Sequence, residues 1–206
     1  MDARVLKKFI IYMAIATFVM FTVWALIKSF MYRPPGDFET EMCDMRLTDK
    51  LYNQAIEHAN KALEKTPNHR GAIMCKALVF ISQKKYEEAN QQLNFIIKFL
   101  ENNIEGNDKT GTGLLAAVYA NRGIIKDRAE DYEGALKDYL KALEIDAESV
   151  DGPGFGTVIL NYKFKSSSVK ERAIYIYEQL QLPENERLLK IKKLDEGQVM
   201  HKPGKL

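Results

Sequence analysis

Two cysteines, three histidines, a serine triplet and a glycine-rich stretch holding Lys109 and Thr110 are the parts of this 206-residue chain whose residue types suit chemistry. None forms a working pattern. Cys43 and Cys75 lack the C-x-x-C spacing of a zinc or dithiol site. A disulfide between them requires an oxidising compartment. The reading adopted is two buried, inert thiols, because free cysteine behaves as a small apolar residue. His58, His69 and His201 are scattered without ligand-like spacing, so no metal site is predicted. Ser166, Ser167 and Ser168 have no histidine nearby and read as a loop and helix cap. Asp44, Glu130, Asp131, Glu144 and Asp146 fall at solvent-facing or turn positions. Gly106, Gly111 and Gly113 invite comparison with a phosphate-binding loop, but Lys109 and Thr110 precede the second glycine and no strand leads in. A flexible loop over residues 102–113 is the expectation. With no nucleophile–base pair, paired carboxylates or metal cluster, the chain is predicted to be no enzyme and to carry no cofactor.

The charge balance excludes a further class. Lys+Arg 30 against Asp+Glu 28 leaves a net charge of +2. Nucleic acid calls for a basic face that neutralises phosphates, so no nucleic-acid partner is predicted.

The apolar residues cluster near the N-terminus. Phe9 to Ile27 is nineteen residues without a charge, about 28 Å of helix against roughly 30 Å of hydrocarbon core. Lys7 and Lys8 close one end and Lys28 the other, with Tyr12, Trp24 and Tyr32 placed for the interfaces. The alternative is a buried core helix, but helices of soluble proteins usually show a polar stripe and this segment has none. A cleaved signal peptide is the stronger rival, but residues 26–30 offer no small-x-small cleavage site. The predicted division is a basic tail at 1–8, a transmembrane helix at 9–31 and a linker at 32–36. Residues 37–181 then form a helical domain, and 182–206 a capping helix with a flexible tail. Arg4, Lys7 and Lys8 crowd the short tail, which predicts a cytoplasmic N-terminus and an exported C-terminal domain.

Beyond the Pro34-Pro35-Gly36 break the sequence repeats. The segments beginning at Leu51, Lys85 and Asp131 each place a tyrosine (Tyr52, Tyr86, Tyr132) three residues before an alanine (Ala55, Ala89, Ala135). Apolar or small residues follow four and seven positions later: Ala59 and Ala62, Leu93 and Ile96, Tyr139 and Ala142. This is one face of a helix, with a small residue where a neighbour comes close. Ala55 and Ala89 lie 34 residues apart, and Ala89 to Ala135 lengthens to 46.

A period of 34 with this pattern resembles the tetratricopeptide repeat (TPR) family. Tyr119, Asn121 and Gly123, followed by Asp131, Tyr132, Gly134 and Ala135, are similar to its motif. Gly123, Ala135, Tyr139 and Ala142 stand at its positions eight, twenty, twenty-four and twenty-seven. Ala77, Phe80 and Ala89 match in the second repeat, and Cys43, Ala55, Ala62 and Pro67 in the first. Lys76 and Arg122 depart from the usual leucine at position seven, and Glu101 and Ala147 replace the closing proline. Leu160, Phe164, Ala173 and Tyr177 suggest a degenerate fourth unit, with Asp151 to Gly154 as a loop before it and Ser168 capping its second helix. Residues 182–191 read as a short capping helix, with Pro183 in its first turn.

The resemblance implies an all-α, TPR-like right-handed helical solenoid of three repeats, a degenerate fourth and a cap, preceded by one transmembrane helix. It also implies a concave groove lined by first helices. Those positions fall on Gly71, Met74, Leu78 and Ile81, then on Ala117, Ala120, Asn121, Ile124 and Asp127. Such a groove suits a peptide or amphipathic helix of a protein partner. The family's carboxylate-gripping subclass is not predicted, since Asn121 alone matches its set. The predicted function is a membrane-anchored interaction scaffold in an envelope-associated complex, in a bacterial inner membrane with the domain periplasmic. A cytosol-facing docking or import receptor and a structural protein acting by self-association, as a homo-oligomer, are the alternatives.

Overall fold

The computed structural model describes residues 3–31, 33–150, 169–191 and 200–201. Among them are eight α-helices, one 3₁₀ turn and no strand. α1 (Ala3–Met31) carries the apolar segment. Its Arg4–Lys28 stretch has a mean hydropathy of 2.3 and none of it is buried, so it is long and apolar enough to cross a membrane. Lys28 Nζ sits 5.2 Å from the centre of the Trp24 ring, at the end of that stretch.

The remaining helices follow in pairs: α2 (Asp37–Thr48) with α3 (Tyr52–Lys65), α4 (Arg70–Ser82) with α5 (Tyr86–Asn103), and α6 (Lys109–Arg128) with α7 (Tyr132–Val150). α8 (Val169–Leu180) packs on α7. Within each pair the helices are in close contact, and α3 packs on α4 as α5 does on α6.

The sequence repeat is a repeat of backbone geometry. Lys50, Lys84 and Glu130 adopt left-handed φ values of 61°, 60° and 65°. Each stands five residues before Ala55, Ala89 or Ala135. Around them the same hydrogen bonds recur: Lys50 N–H to Leu47 O with Leu51 N–H to Arg46 O, and Lys84 N–H to Ile81 O with Lys85 N–H to Phe80 O. Glu130 N–H to Asp127 O, with Asp131 N–H to Lys126 O, completes the set. This is the Schellman ending, which satisfies the last carbonyls of a helix and reverses the chain. Ala55, Ala89 and Ala135 then bury completely. A Cβ on Gly123 would lie 2.6 Å from Tyr139 Cε1, so α6 and α7 cross where only glycine fits.

The linker is tied to the domain. Gly36 has φ 96°, and a side chain there would strike His69 and the Ala62 carbonyl. Thr66 Oγ1 donates to Pro35 O at 2.8 Å. Thr40, His69 and Asp37 follow the hydroxyl–imidazole–carboxylate order of a catalytic triad, yet the Thr40 proton and the His69 Nδ1 lone pair are committed elsewhere. Thr40 Oγ1 donates to Gly36 O at 2.9 Å, and His69 Nδ1 accepts from Ala72 N–H at 3.2 Å. His69 Nε2 is therefore the N–H that donates to Asp37 Oδ1, 2.8 Å away. The group caps α4 and joins it to α2.

Four expectations need correction. Cys43 and Cys75 form a disulfide, with Cα atoms 6.4 Å apart. They lie 32 residues apart, close to one repeat period, so stacking α2 on α4 brings them face to face. The loop expected over 102–113 shrinks to residues 104–108. Asp108 caps α6 by accepting from Gly111 N–H at 2.8 Å, and Arg70 holds its carboxylate at 2.5 Å. Those contacts keep the Asp108 carboxyl below its usual range, the Arg70 hydrogen bond first and the Gly111 N–H second. Gly111 and Gly113 are buried in α6. A Cβ on Gly113 would lie 2.9 Å from Ser149 Oγ, the tip of an exposed side chain on the α7 segment packed against it.

Third, helix continues past Ala147, where the third repeat is expected to close. Asp146 breaks α7 with φ −160° and caps the next turn through Ser149 N–H at 3.0 Å. A new helix starts there, but Asp151 to Gly154, Leu160, Phe164 and Ser166 to Ser168 lie outside the described residues. Fourth, the capping helix is a single 3₁₀ turn, Glu184–Glu186, followed by a non-helical run through Ile191. Side chains of α8 take up its backbone groups instead. Tyr175 Oη donates to Leu188 O at 2.6 Å, Gln179 Oε1 accepts from Leu188 N–H at 2.7 Å, and Arg172 donates to Leu189 O at 3.1 Å.

Candidate functional site

The sequence-predicted groove residues sit on α4 and α6. Met74, Leu78, Ile81, Ala117, Ala120, Asn121, Ile124 and Asp127 are all buried. Met74 and Leu78 belong to the continuous core, so a charge placed there would act on folding before it acted on any partner. Asp127 serves the fold. Its carboxylate receives two hydrogen bonds from Arg172 of α8, both 2.7 Å, and one from Tyr139 Oη at 3.2 Å. Arg172 and Asp127 are both nearly solvent-free, and that pairing satisfies two charges that would be costly alone.

Asn121 differs from the other seven. It stands 46 residues after Cys75, the spacing that also separates Ala135 from Ala89. Cys75 is spent on the disulfide that draws α2 onto α4, whereas α4 and α6 make little direct contact. Two residues near the C-terminus bridge them. Asn121 Nδ2 donates to His201 O at 2.7 Å, and His201 N–H donates back to Asn121 Oδ1 at 3.0 Å. The second Nδ2 hydrogen goes to Ala117 O at 2.8 Å, so the amide is fully used. Next to it the Met200 sulfur lies 3.9 Å from Ser82 Oγ on α4, and the Met200 side chain packs on the core. Burial pushes the His201 imidazole down to about 4 from 6.5, with no charged group contributing.

Lys76 and Arg122, again 46 residues apart, also acquire partners. Lys76 Nζ donates to Asn60 at 3.0 Å. Arg122 pairs with both oxygens of Asp138 at 2.7 and 2.8 Å and with Asn94 at 2.8 Å, and it lies over the Tyr119 ring. Lys126 reaches the same Asp138 at 2.8 Å. The Asp138 bond raises the Arg122 pKa, and burial, followed by the Glu101 hydrogen bond, pushes Tyr119 up to about 12. These polar pairs lock α5, α6 and α7 together. Asp37, Asn68, His69, Arg70, Phe99, Leu100 and Asn103 line a cavity of about 350 Å³ beside the α4 cap. No group of three metal-ligating side chains occurs among the described residues.

Sequence reasoning missed Ser82, Met200 and His201 as members of one site. The available signal was the position of Asn121, an amide with Ala117, Ala120 and Ile124 as its helical neighbours. Comparison with protein-family models, curated proteins and solved structures finds no match to this chain.

Proposed function

We propose that this chain is a membrane-anchored, TPR-like helical solenoid that acts as a protein–protein interaction scaffold on the exported face of a membrane, in a bacterial envelope complex. The observation that carries the reading is the slot between α4 and α6, where Asn121 holds the main chain of the chain's own residue His201. The recurring Schellman turns at Lys50, Lys84 and Glu130 support a solenoid, since each reverses the chain at the same point of its unit. α1 would confine the slot to the bilayer surface and raise its effective concentration near membrane partners. The Cys43–Cys75 disulfide favours an exported domain over a cytosol-facing receptor, because cytosolic thiols are kept reduced. No enzymatic role is proposed.

The test combines partner capture with topology. A photo-crosslinking residue in place of Ser82, in the full chain in its native membrane, reports what enters the slot. A compartment-dependent reporter after Leu206 reports the side. A discrete protein cross-linked on the exported side supports the scaffold. Reporter activity in the cytosol would make the chain a docking receptor, and cross-links to second copies alone would make it a self-associating structural protein.

A further inference from the structure

Asn121 reads a backbone in a way that constrains its shape. One side-chain amide meets both the N–H and the C=O of a single residue, His201. In an α-helix those two groups point in opposite directions along the axis and are used by the helix itself. Both are presented to one side only by a chain in extended form, as in strand pairing. The amide contacts carry no side-chain information, so selectivity must come from the neighbours. Met200 supplies an apolar anchor against the core beside Ser82, and His201 is partly buried beside Asn121.

We propose that the α4–α6 slot is a site for extended peptide segments, and that the chain's own segment at Met200–His201 is its resident ligand, which a partner must displace. The proposal rests on the scaffold reading and narrows its partner from helix or peptide to an extended stretch with an apolar residue followed by an uncharged one. Tethering makes self-occupancy effective even when the contact is weak. A segment in the same chain acts at an effective concentration on the order of 1 mM, so a tail that binds in trans at about 0.1 mM would weaken a competitor roughly tenfold.

The experiment uses the full chain in detergent micelles, the same chain ending at Val199, and a fluorescein-labelled synthetic peptide spanning residues 195–206. Anisotropy titration is expected to give binding to the shortened chain and about tenfold weaker binding to the intact one. A peptide carrying Met200→Glu should lose at least tenfold in affinity for the shortened chain, a readout independent of any folding defect. Asn121→Leu in the shortened chain, with helical content checked by circular dichroism, should lose a similar amount. Equal affinity of the peptide for intact and shortened chains would overturn self-occupancy. Equal binding of parent and Met200→Glu peptides would overturn the slot as their site. Either result leaves the scaffold reading to stand or fall on cross-linking at Ser82.

Discussion

Removing the Cys43–Cys75 bond should cost the domain a large part of its stability. The bridge closes a loop with a sequence separation of 32 residues. In the chain-entropy model such a loop restricts the unfolded ensemble by about 3–4 kcal/mol at 25 °C. Both sulfurs sit in the core and α2 already packs on α4, so the native helices lose little geometry when the bond opens. The effect should thus appear as a lower unfolding midpoint with retained helical content in the native state. For a domain of this size the midpoint should fall by roughly 10 °C. The assay is thermal and urea unfolding of the full chain in detergent, followed by circular dichroism, for oxidised protein, reduced protein and the Cys43→Ala/Cys75→Ala variant. Free thiols are counted under denaturant before reduction. Two free thiols per chain in protein taken from its native membrane would refute the disulfide and remove the main support for an exported domain. An unchanged midpoint after complete reduction would refute the entropic argument.

Other substitutions probe the repeat and the slot. Gly123→Ala should destabilise by about 1–3 kcal/mol, because its Cβ would meet the Tyr139 ring; an unchanged urea midpoint would contradict the crossing geometry. Lys84→Gly should stabilise by about 0.5–1 kcal/mol by relieving a left-handed φ of 60° at an exposed turn, and a loss of stability would contradict that backbone. Arg172→Leu should cost about 3–5 kcal/mol by leaving Asp127 buried without its main partner, while Arg172→Leu with Asp127→Leu should recover much of the loss. Equal losses in the single and double variants would argue against a charge penalty. Tail docking should weaken as pH falls. The docked His201 stays neutral down to about 4 whereas a released imidazole protonates near 6.5, so the released state binds more protons between those values. Docking is complete above that window and loses at most about 3 kcal/mol across it, less for whatever solvent the ring retains. Titrating the 195–206 peptide into the chain ending at Val199 at pH 7.5 and pH 5 would detect the change as weaker binding at the lower pH, and equal affinities would contradict a buried imidazole.

How much of this was legible in the sequence depended on the range of the interaction. α1 follows from a charge-free apolar run, and the helical class follows from the tyrosine–alanine spacing, because both are local signals. The chain reversals at Lys50, Lys84 and Glu130 carry no glycine, so turn chemistry gave no warning of left-handed backbone there. Gly111 and Gly113 misled in the opposite direction. They look like loop residues, yet both lie buried within α6 beside the side chains of Arg70, Asp108 and Ser149. The disulfide, the Arg172–Asp127 pair and the Asn121–His201 contact join residues 32, 45 and 80 positions apart. No periodicity reports such pairs until the helices are stacked.

That stacking also accounts for the place that the Met200–His201 segment takes between α4 and α6. α2 and α4 are drawn together by the disulfide at Cys75, and the equivalent place on α6 carries a hydrogen-bonding amide instead. The spacing of 46 residues between Cys75 and Asn121, in place of 34, goes into longer α5 and α6, whose extra turns pack through the Asp108 cap. Six residues beyond Asn121, Asp127 fixes α6 to α8 and, through Arg172, to the backbone at Leu189. The slot is therefore framed on one side by a helix held covalently and on the other by a helix held by a buried ion pair. A rigid frame lowers the ordering cost of binding and suits recognition of a main chain, where two hydrogen bonds must be met at once. It follows that a variant which loosens α6 at Asp127, such as Arg172→Leu, should weaken peptide binding at Asn121 without touching the peptide.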